Sequence, residues 1–194
     1  MRRVVVTEYV TLDGVIEDPG GGDGTAHGGW SFQFWSEEAG KFKFDELFAS
    51  DALLLGRVTY EGFAKAWPSR TDEAGFADRM NSLPKFVVSK TLEKVEWNNS
   101  KLIKGNIAEE VYKLKQQPGQ DILVCGSGQL VHTLMQHDLI DEYRIMVHPV
   151  VLGSGKRLIK DGSEMKVLRL VDTKIFGSGI VVLYYQPADR EVEK

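Results

Sequence analysis

The amino-acid sequence predicts an α/β protein of three layers, in which a central mixed, mostly parallel sheet carries helices on both faces and ends in a C-terminal antiparallel hairpin. Three observations predict this fold class. Short apolar runs alternate with amphipathic segments through the first two thirds of the chain, and two of these runs close on glycine and lead directly into a helix pattern. After Asp138 three β-rich runs follow without a helix pattern between them. Alternating strands and helices build parallel sheets, whereas strands joined by a tight turn pair antiparallel.

The chain opens with a strand and an irregular loop. Residues 3–10 are rich in Val, Thr and Tyr and are followed by the turn-prone pair Asp13-Gly14, which predicts a strand. Glu8 interrupts its apolar run, which is untypical of a signal peptide. Residues 17–29, EDPGGGDGTAHGG, contain too much glycine for a regular element and predict a mobile or irregular loop.

A helix and the first strand-to-helix unit come next. Ser36 precedes an acidic segment with apolar residues on one face, so a helix is predicted over 37–49. The apolar run at 52–56 predicts a buried strand, and residues 57–67 predict a helix that ends before Pro68.

The following elements repeat this alternation. Strands are predicted at 85–89 and, more weakly, at 100–104, and a helix begins after the capping residue Asn106 and stops at Pro118-Gly119. The segment DILVCGSG then repeats the pattern of an apolar strand that ends in glycines, and QLVHTLMQH after it has the spacing of a helix.

The last part of the chain predicts strands alone. The runs lie at 142–153, 164–176 and 179–187, and the tight linker Gly177-Ser178-Gly179 indicates an antiparallel hairpin between the last two. No change of composition marks a domain boundary, so we expect one domain over residues 1–187 and a frayed tail over 188–194.

Composition limits the classes of function. The chain has 194 residues, of which 42% are hydrophobic and 27% charged, as in soluble globular proteins. Its net charge of -4 offers no basic field for nucleic acid, and no apolar stretch has the length of a membrane helix. One cysteine, Cys125, excludes an intrachain disulfide, and the spacing of the four histidines does not suggest a metal site. We expect a cytoplasmic protein that acts on a small molecule.

Two turns are the candidate ligand sites. Ligands of open parallel sheets bind beyond the carboxyl ends of the strands, where helix N-termini present free amides. At the first turn Gly56 permits close approach of a ligand and Arg57 offers a forked partner for phosphate. At the second, Gly126 and Gly128 are expected to expose successive amides to a diphosphate, with Ser127 as a further donor. Together the turns suit a dinucleotide.

Each of these features has a simpler interpretation. Arg57 can form an ordinary helical ion pair with Glu61, and a glycine after a strand is often only a turn. Cys125 ends an apolar strand and is more typical of a small core residue than of a nucleophile. An aromatic cluster can line a pocket for a flat ring or simply pack in the core; its members are Trp30, Phe32, Phe34 and Trp35.

The order of these motifs resembles the dihydrofolate reductase superfamily, and most closely the branch that includes the C-terminal reductase domain of bacterial riboflavin biosynthesis enzymes and many small reductase-like proteins. The resemblance covers nearly the whole chain, through VTLDGVIEDP, LLLGRVTYEG, KFVVSKTL, ILVCGSGQLVHTLM and HPVVLGSGKRL. It implies a dihydrofolate reductase-like fold, NADPH as the cofactor and, because related domains commonly pair, a homodimer.

The resemblance also implies roles for individual residues. In the family the first turn contacts the NADPH phosphates, the end of the third strand flanks the 2′-phosphate, the second turn holds the pyrophosphate, and the residue after the first strand shapes the nicotinamide site. The residues that match these positions are Ile16, Gly56, Arg57, Thr59, Ser89, Lys90, Gly126, Ser127, Gly128, Gln129 and Leu130.

The substrate side departs from the folate pattern. The position of the acidic residue that holds the pterin in folate reductases falls on Gly40, with Glu37 and Glu38 close by. Phe44 matches the aromatic residue that packs against the substrate, and Leu83 stands where the folate enzymes carry an arginine. Dihydrofolate itself is therefore not the expected substrate.

The sequence thus predicts an NADPH-dependent reductase that passes hydride to a flat heteroaromatic or C=N-containing molecule of pteridine or aminopyrimidine type. Glu38 is the first candidate for the proton donor, ahead of Glu37 and of Asp13, which also fits a role in its turn. Trp35 and Phe44 are the candidate substrate contacts. Two alternatives remain: a non-catalytic nucleotide- or pterin-binding module on the same fold, and a structural protein that pairs through its β-rich edge.

Overall fold

The structure is a computed structural model that describes residues 1–188. In this part of the chain eight strands form one sheet, and five α-helices and a short 3₁₀ turn flank it. The strands are β1 Val4–Thr11, β2 Ser50–Gly56, β3 Lys85–Val88, β4 Ser100–Ile103, β5 Asp121–Val124, β6 Glu142–His148, β7 Leu168–Ile175 and β8 Val181–Pro187. The helices are α1 Glu37–Phe48, α2 Arg57–Ala66, α3 Phe76–Ser82, α4 Ile107–Gln116 and α5 Gly128–Gln136, and the 3₁₀ turn is Phe32–Phe34.

The sheet has the predicted mixed topology. Its strand order is β4-β3-β2-β5-β1-β6-β8-β7, and every pair from β4 to β6 is parallel. Only β8 runs against its neighbours, because it turns back tightly from β7 and pairs antiparallel with both β6 and β7. The predicted fold class and the predicted C-terminal hairpin are both confirmed.

Local signals set the helix boundaries where the sequence predicted them. The Ser36 hydroxyl accepts the Ala39 N–H at the start of α1, and the Asn106 side chain accepts the Ala108 N–H at the start of α4. These caps satisfy amides that have no acceptor inside the helix.

Helices cover both faces of the sheet. On one face α4 and α5 pack on a core that includes Val6, Val124 and Leu134, all fully buried. On the other face α1, α2 and α3 pack on a second core around Leu53 and Leu55. The inner side of α1 continues onto a third, smaller cluster with β6 and β8. The helices therefore leave the carboxyl ends of the parallel strands as the edge where a ligand can approach.

Helix α3 was not predicted from the sequence. It is only seven residues long, which is too short for a clear apolar period. Its start depends on Gly75, which has a φ of 81°, and on the Asp72 carboxylate, which accepts the Phe76 and Ala77 amides. Both residues lie before the helix in a segment that otherwise reads as a loop.

The glycine-rich segment 17–29 is irregular as predicted, but hydrogen bonds close it. The buried Asp18 carboxylate accepts the Thr25 hydroxyl and the Asp23 amide, at 3.0 and 3.3 Å. The Trp30 indole N–H donates to the Glu17 carbonyl at 2.8 Å. This loop therefore stands beside the end of β1 as a compact structure.

Two further expectations concern the tail and the membrane. The Ala188 amide donates to the Val167 carbonyl, which ties the first residue of the predicted frayed tail to the segment before β7; the remaining positions, 189–194, lie outside the described residues. Among residues 1–188, no helix combines the length and the apolar character that crossing a bilayer requires.

Candidate active site

The two glycine turns lie in contact with each other. Strands β2 and β5 are parallel neighbours with Leu54 opposite Val124, so both turns leave the same edge of the sheet. A Cβ atom added to Gly56 would lie 2.3 Å from the Ser127 hydroxyl, and one added to Gly126 would lie 2.6 Å from the Thr59 hydroxyl. A side chain at either position would have to displace one of these hydroxyls, so the two turns pack closely against each other.

The second turn has an unusual backbone. Gly126 has a φ of 66°, and the peptide bond between Gly126 and Ser127 is cis. The Gly126 amide points into the protein and donates to the Glu8 carboxyl at 2.9 Å. The expectation that both glycines expose their amides is therefore wrong at Gly126. The first-turn amides of α5, from Gly128 onward, have no acceptor four residues earlier within the helix and point toward this edge of the sheet.

Ile16 is brought to the same place by the loop after β1. A Cβ atom on Gly128 would lie 2.7 Å from the Ile16 Cδ1 atom, so the side chain packs directly on the start of α5. The Ile16 amide donates to the Lys156 carbonyl, which fixes the loop to the segment after β6. Leu130, by contrast, is buried in the core below α5 and keeps only its backbone near the turn.

The polar residues predicted for the phosphates are partly engaged with the protein. The Arg57 guanidinium pairs with Glu61 at 3.0 Å, as the simpler interpretation proposed, and both side chains are nearly half exposed. Such an exposed pair contributes little stability and leaves the guanidinium open to an anion. The buried Ser89 hydroxyl accepts the Leu92 amide at 3.0 Å, while Lys90 is exposed at the end of β3.

A partly buried cation, Lys43, lies beneath α1. Lys43 donates to the Thr7 hydroxyl at 2.8 Å and to Glu46, and its ammonium lies 5.5 Å from the centre of the Tyr9 ring. The Lys43 side chain is 20% exposed and Glu46 only 1%. Arg144 on β6 approaches the second oxygen of Glu46 at 3.4 Å. The ammonium thus lies close to solvent, with its carboxylate partner held below.

Lys43 remains charged despite its burial. Burial alone would lower the pKa of the ammonium, but the Glu46 carboxylate outweighs it and raises the pKa. Burial raises the pKa of the Cys125 thiol to about 12, so that side chain is a neutral core group rather than a nucleophile. Sequence reasoning did not single out Lys43; the available signal was a lysine on the same helix face as the buried Phe42 and Leu47.

The three predicted proton donors have different surroundings. Glu38 is exposed, and its carboxylate accepts the Gly177 amide of the β7–β8 turn at 2.8 Å. Glu37 is exposed in the same first turn of α1. Asp13 accepts the Thr11 hydroxyl at 2.6 Å, which, together with backbone amides that include that of Gly153, lowers the pKa of its carboxyl to about 2. Asp13 therefore has the contacts of a turn residue, and its catalytic role, like those of Glu37 and Glu38, stays a prediction.

Comparison with known proteins identifies the family. The family model described as the RibD C-terminal domain matches residues 2–182. The chain belongs to the RibD C-terminal domain family. The uncharacterized protein YyaP of Bacillus subtilis (strain 168) is 35% identical to this chain over 187 residues, which is 95% of this chain and 94% of YyaP.

Solved structures confirm the fold of this RibD C-terminal domain. A protein from Shewanella sp. PV-4 that is named for riboflavin biosynthesis superposes with a TM-score of 0.76 at 22% identity, over 96% of this chain and 99% of the other. Dihydrofolate reductase from Enterococcus faecalis, complexed with NADP(H) and RAB-propyl, superposes with a TM-score of 0.61 at 15% identity, over 96% and 97%. These superpositions confirm the dihydrofolate reductase-like fold, and the family model over residues 2–182 confirms the suspected branch of riboflavin biosynthesis reductase domains.

The aromatic residues of this RibD C-terminal domain divide into a packed group and an exposed one. Trp30 and Phe34 pack around His148, and their ring centres lie 5.1 and 5.9 Å from that of the imidazole. Trp35 is 69% exposed, and a Cβ atom on Gly40 would lie 3.6 Å from its indole ring. An exposed indole thus covers the position where folate enzymes carry their acid.

Phe44 stacks on Phe48 with ring centres 4.1 Å apart, on the side of α1 that faces α3. The guanidinium of Arg79 on α3 lies 5.6 Å from the Phe48 ring. Phe44 therefore packs within the helical layer, and its contact with a substrate stays a prediction.

A groove of the protein lies away from the two glycine turns. It has a volume of about 540 Å³ and opens between α2 and the segment that leads to Trp97. Its lining includes Tyr60, Lys65 and Glu93, but neither glycine turn.

Proposed function

We propose that this RibD C-terminal domain is an NADPH-dependent reductase that acts on a flat heteroaromatic or C=N-containing small molecule of pteridine or aminopyrimidine type. The observation that carries the proposal is the contact between Gly56 and Ser127 at the carboxyl ends of two neighbouring parallel strands. A surface of this kind, with glycines at both turns and a helix N-terminus beside it, suits a dinucleotide. Relatives of the same fold include a dihydrofolate reductase complexed with NADP(H).

The residues at the two turns fit the cofactor. The first-turn amides of α5 and the Ser127 hydroxyl would hold the diphosphate, and Arg57 would supply a positive charge beside it. Ser89 and Lys90, at the end of the adjacent strand β3, would flank the 2′-phosphate. NADPH supplies the hydride; the protein aligns donor and acceptor and excludes water.

The chemistry on the substrate side needs a counter-charge and a proton. Negative charge develops on the nitrogen or oxygen acceptor as hydride arrives at the neighbouring carbon, and a fixed ammonium in a site of low dielectric stabilises it. We assign this role to Lys43, whose ammonium is held beneath α1 by Thr7 and Glu46. The proton comes from a carboxylic acid, for which Glu38 is the first candidate, or from a positioned water.

Cofactor binding is the first test. Titration with NADPH should raise the thermal midpoint and change the nucleotide fluorescence in the native protein, because a ligand that binds only the folded state stabilises it. The Gly56→Val variant should lose both responses, since its side chain would fill the contact with Ser127. Gly62→Val on the same helix, where nothing lies within 4 Å of an added Cβ, is the matched control. Absence of any response to millimolar NADPH in the native protein would contradict the proposal.

A non-catalytic nucleotide- or pterin-binding module is the second candidate. Two observations favour it: Gly40 offers no acid, and the Glu38 carboxylate is already bonded to the Gly177 amide. Steady NADPH consumption with any member of a pteridine, pyrimidine and imine panel, abolished by Glu38→Gln, would support the reductase. Binding of NADPH without turnover across that panel would support the module.

A further inference from the structure

Glu8 is an ionisable residue at a core position of β1. The side chains of β1 alternate between the two faces of the sheet, and Glu8 lies on the same face as Val4, Val6 and Val10, which belong to the core below α4 and α5. Only 8% of Glu8 is exposed. A carboxyl group at a position of this kind is unfavourable unless it has a specific partner, and a valine would pack there without that penalty.

The partner of this carboxyl is the candidate cofactor turn itself. The Gly126 amide donates to the Glu8 carboxyl at 2.9 Å, so a buried side chain holds the backbone next to the cis peptide bond. The turn has little freedom to adjust, because Gly126 packs on Thr59 and Ser127 packs on Gly56. Glu8 therefore reaches from the sheet to the underside of the surface on which we place the diphosphate.

We propose that Glu8 is a positioning residue for the pyridine nucleotide: it fixes the Gly126–Ser127 turn from below, and the nucleotide binds the form of the protein in which this carboxyl carries a proton. The inference rests on the proposed function, because the diphosphate is the ligand whose charge Glu8 would oppose. A neutral carboxyl accepts the Gly126 amide without placing a negative charge beneath the phosphates. An ionised one would repel them across the thickness of one turn.

The groups around Glu8 support a neutral carboxyl at neutral pH. Burial raises its pKa to about 8, although the Gly126 amide and the ammonium of Lys43 act in the opposite direction. Its register partner on β6 is Ile145, and the α5 side chains of this core are apolar, Leu130 and Val131 among them. The Cys125 thiol, which ends the strand on the other side, has its pKa raised to about 12. The pKa values of Cys125 and Lys43 are both raised, so both groups titrate above Glu8.

The experiment compares native protein with Glu8→Gln in two measurements between pH 7 and pH 10. Glutamine keeps an acceptor for the Gly126 amide but cannot ionise. In the ligand-free native protein the amide proton shift of Gly126, followed by NMR, should show an inflection near pH 8 that is absent from Glu8→Gln. The affinity for NADPH should fall about tenfold between pH 7 and pH 9 in the native protein and stay level in Glu8→Gln. The 2′-phosphate of NADPH ionises near about pH 6 and does not interfere in this range.

Two further variants distinguish the positioning of the turn by Glu8 from the titration of other carboxylates. Glu8→Asp keeps a titratable group but shortens the reach to Gly126, so it should weaken NADPH binding at pH 7 and retain a pH dependence. Glu109→Gln removes an exposed carboxylate of α4 and should behave as the native protein does. Lys85, whose pKa is also about 8, begins β3 at the opposite end of the sheet, and its titration is common to all variants.

The outcomes distinguish this inference from the proposed function. NADPH binding with the same pH dependence in native protein and Glu8→Gln overturns the inference and leaves the cofactor assignment standing. An inflection at Gly126 without NADPH binding at any pH overturns the proposed function and the linkage to nucleotide, and leaves only the hold of Glu8 on the turn. Absence of the inflection, with level affinity in both proteins, overturns the positioning role.

Discussion

Two lysines of this protein have pKa values that are shifted in opposite directions: that of the partly buried Lys43 is raised, and that of the fully buried Lys85 is lowered. Lys85 donates to three backbone carbonyls and lies 4.1 Å from the Trp97 ring. No carboxylate among residues 1–188 pairs with it, and burial lowers its pKa to about 8. Lys43 has Glu46 beside it, which more than offsets burial and raises its pKa. A carbonyl cluster satisfies an ammonium geometrically, whereas a carboxylate also fixes its charge. Lys43 therefore keeps its charge beneath α1.

Removal of Lys43 should lower stability as well as turnover. In Lys43→Met the Glu46 carboxylate stays buried with only the longer contact to Arg144, so the free energy of unfolding should fall by about 2–3 kcal/mol. Lys41→Met breaks an exposed pair with Asp45 on the same helix and should change it by less than about 0.5 kcal/mol. Urea denaturation measures the free energy of unfolding of both variants. Equal losses of stability in the two variants would contradict the expectation that the Lys43–Glu46 pair stabilises the protein more than the exposed Lys41–Asp45 pair does.

The elements that build the site are two copies of one strand-to-helix unit, β2–α2 and β5–α5, and the loops that fasten them. Apolar runs that end in glycine predicted both units, because a buried strand followed by a turn and a helix has a strong local signal. The local sequence of the loop after β1 did not indicate which part of the chain it would contact. It is fastened by the Asp13 carboxylate, which accepts the Leu152 and Gly153 amides from the segment after β6.

The fastening by Asp13 predicts a pH dependence of stability. Its pKa is lowered in the folded protein from 3.8 to about 2, with the Thr11 hydroxyl as the largest cause. Its contribution to stability is therefore complete above pH 4 and is lost as the pH falls through about 2. Asp13→Asn should lower the urea midpoint relative to native protein at pH 6, and the difference should shrink steadily below pH 4. A difference independent of pH would show that ionisation of Asp13 is not involved; Asp161→Asn, an exposed position, serves as the control.

On the scale of the whole molecule, the sheet has one apolar edge. Strand β7 is the last in the order, and all but the first of its residues are exposed. Leu170 and Ile175 are 49% and 76% exposed on this strand. An exposed strand with apolar side chains is a template for pairing with another chain. This edge is where we place the homodimer that the family resemblance implies.

Light scattering of the purified protein should give a mass of twice 21.7 kDa. Ile175→Glu should shift the protein toward the monomer, because it places a charge in the edge that pairs. Tyr112→Glu, which changes an exposed apolar residue of α4, should leave the mass unchanged. A monomeric native protein, or equal masses for Ile175→Glu and native protein, would contradict pairing through β7.

The amino-acid sequence by itself determined the fold class, the order of the elements apart from α3, the caps of α1 and α4, and the positions of the two glycine turns. These features depend on signals within a few residues: the period of apolar side chains, a capping oxygen, a glycine after a strand. Residues far apart in the sequence meet only when the strands take their order in the sheet. That order, decided by the tertiary structure, set Gly56 against Ser127 and Lys43 against Thr7, and turned the Gly126 amide inward to Glu8. The reason is physical: burial, charge pairing and close contact are properties of neighbours in space, and a linear pattern does not specify which neighbours a side chain has.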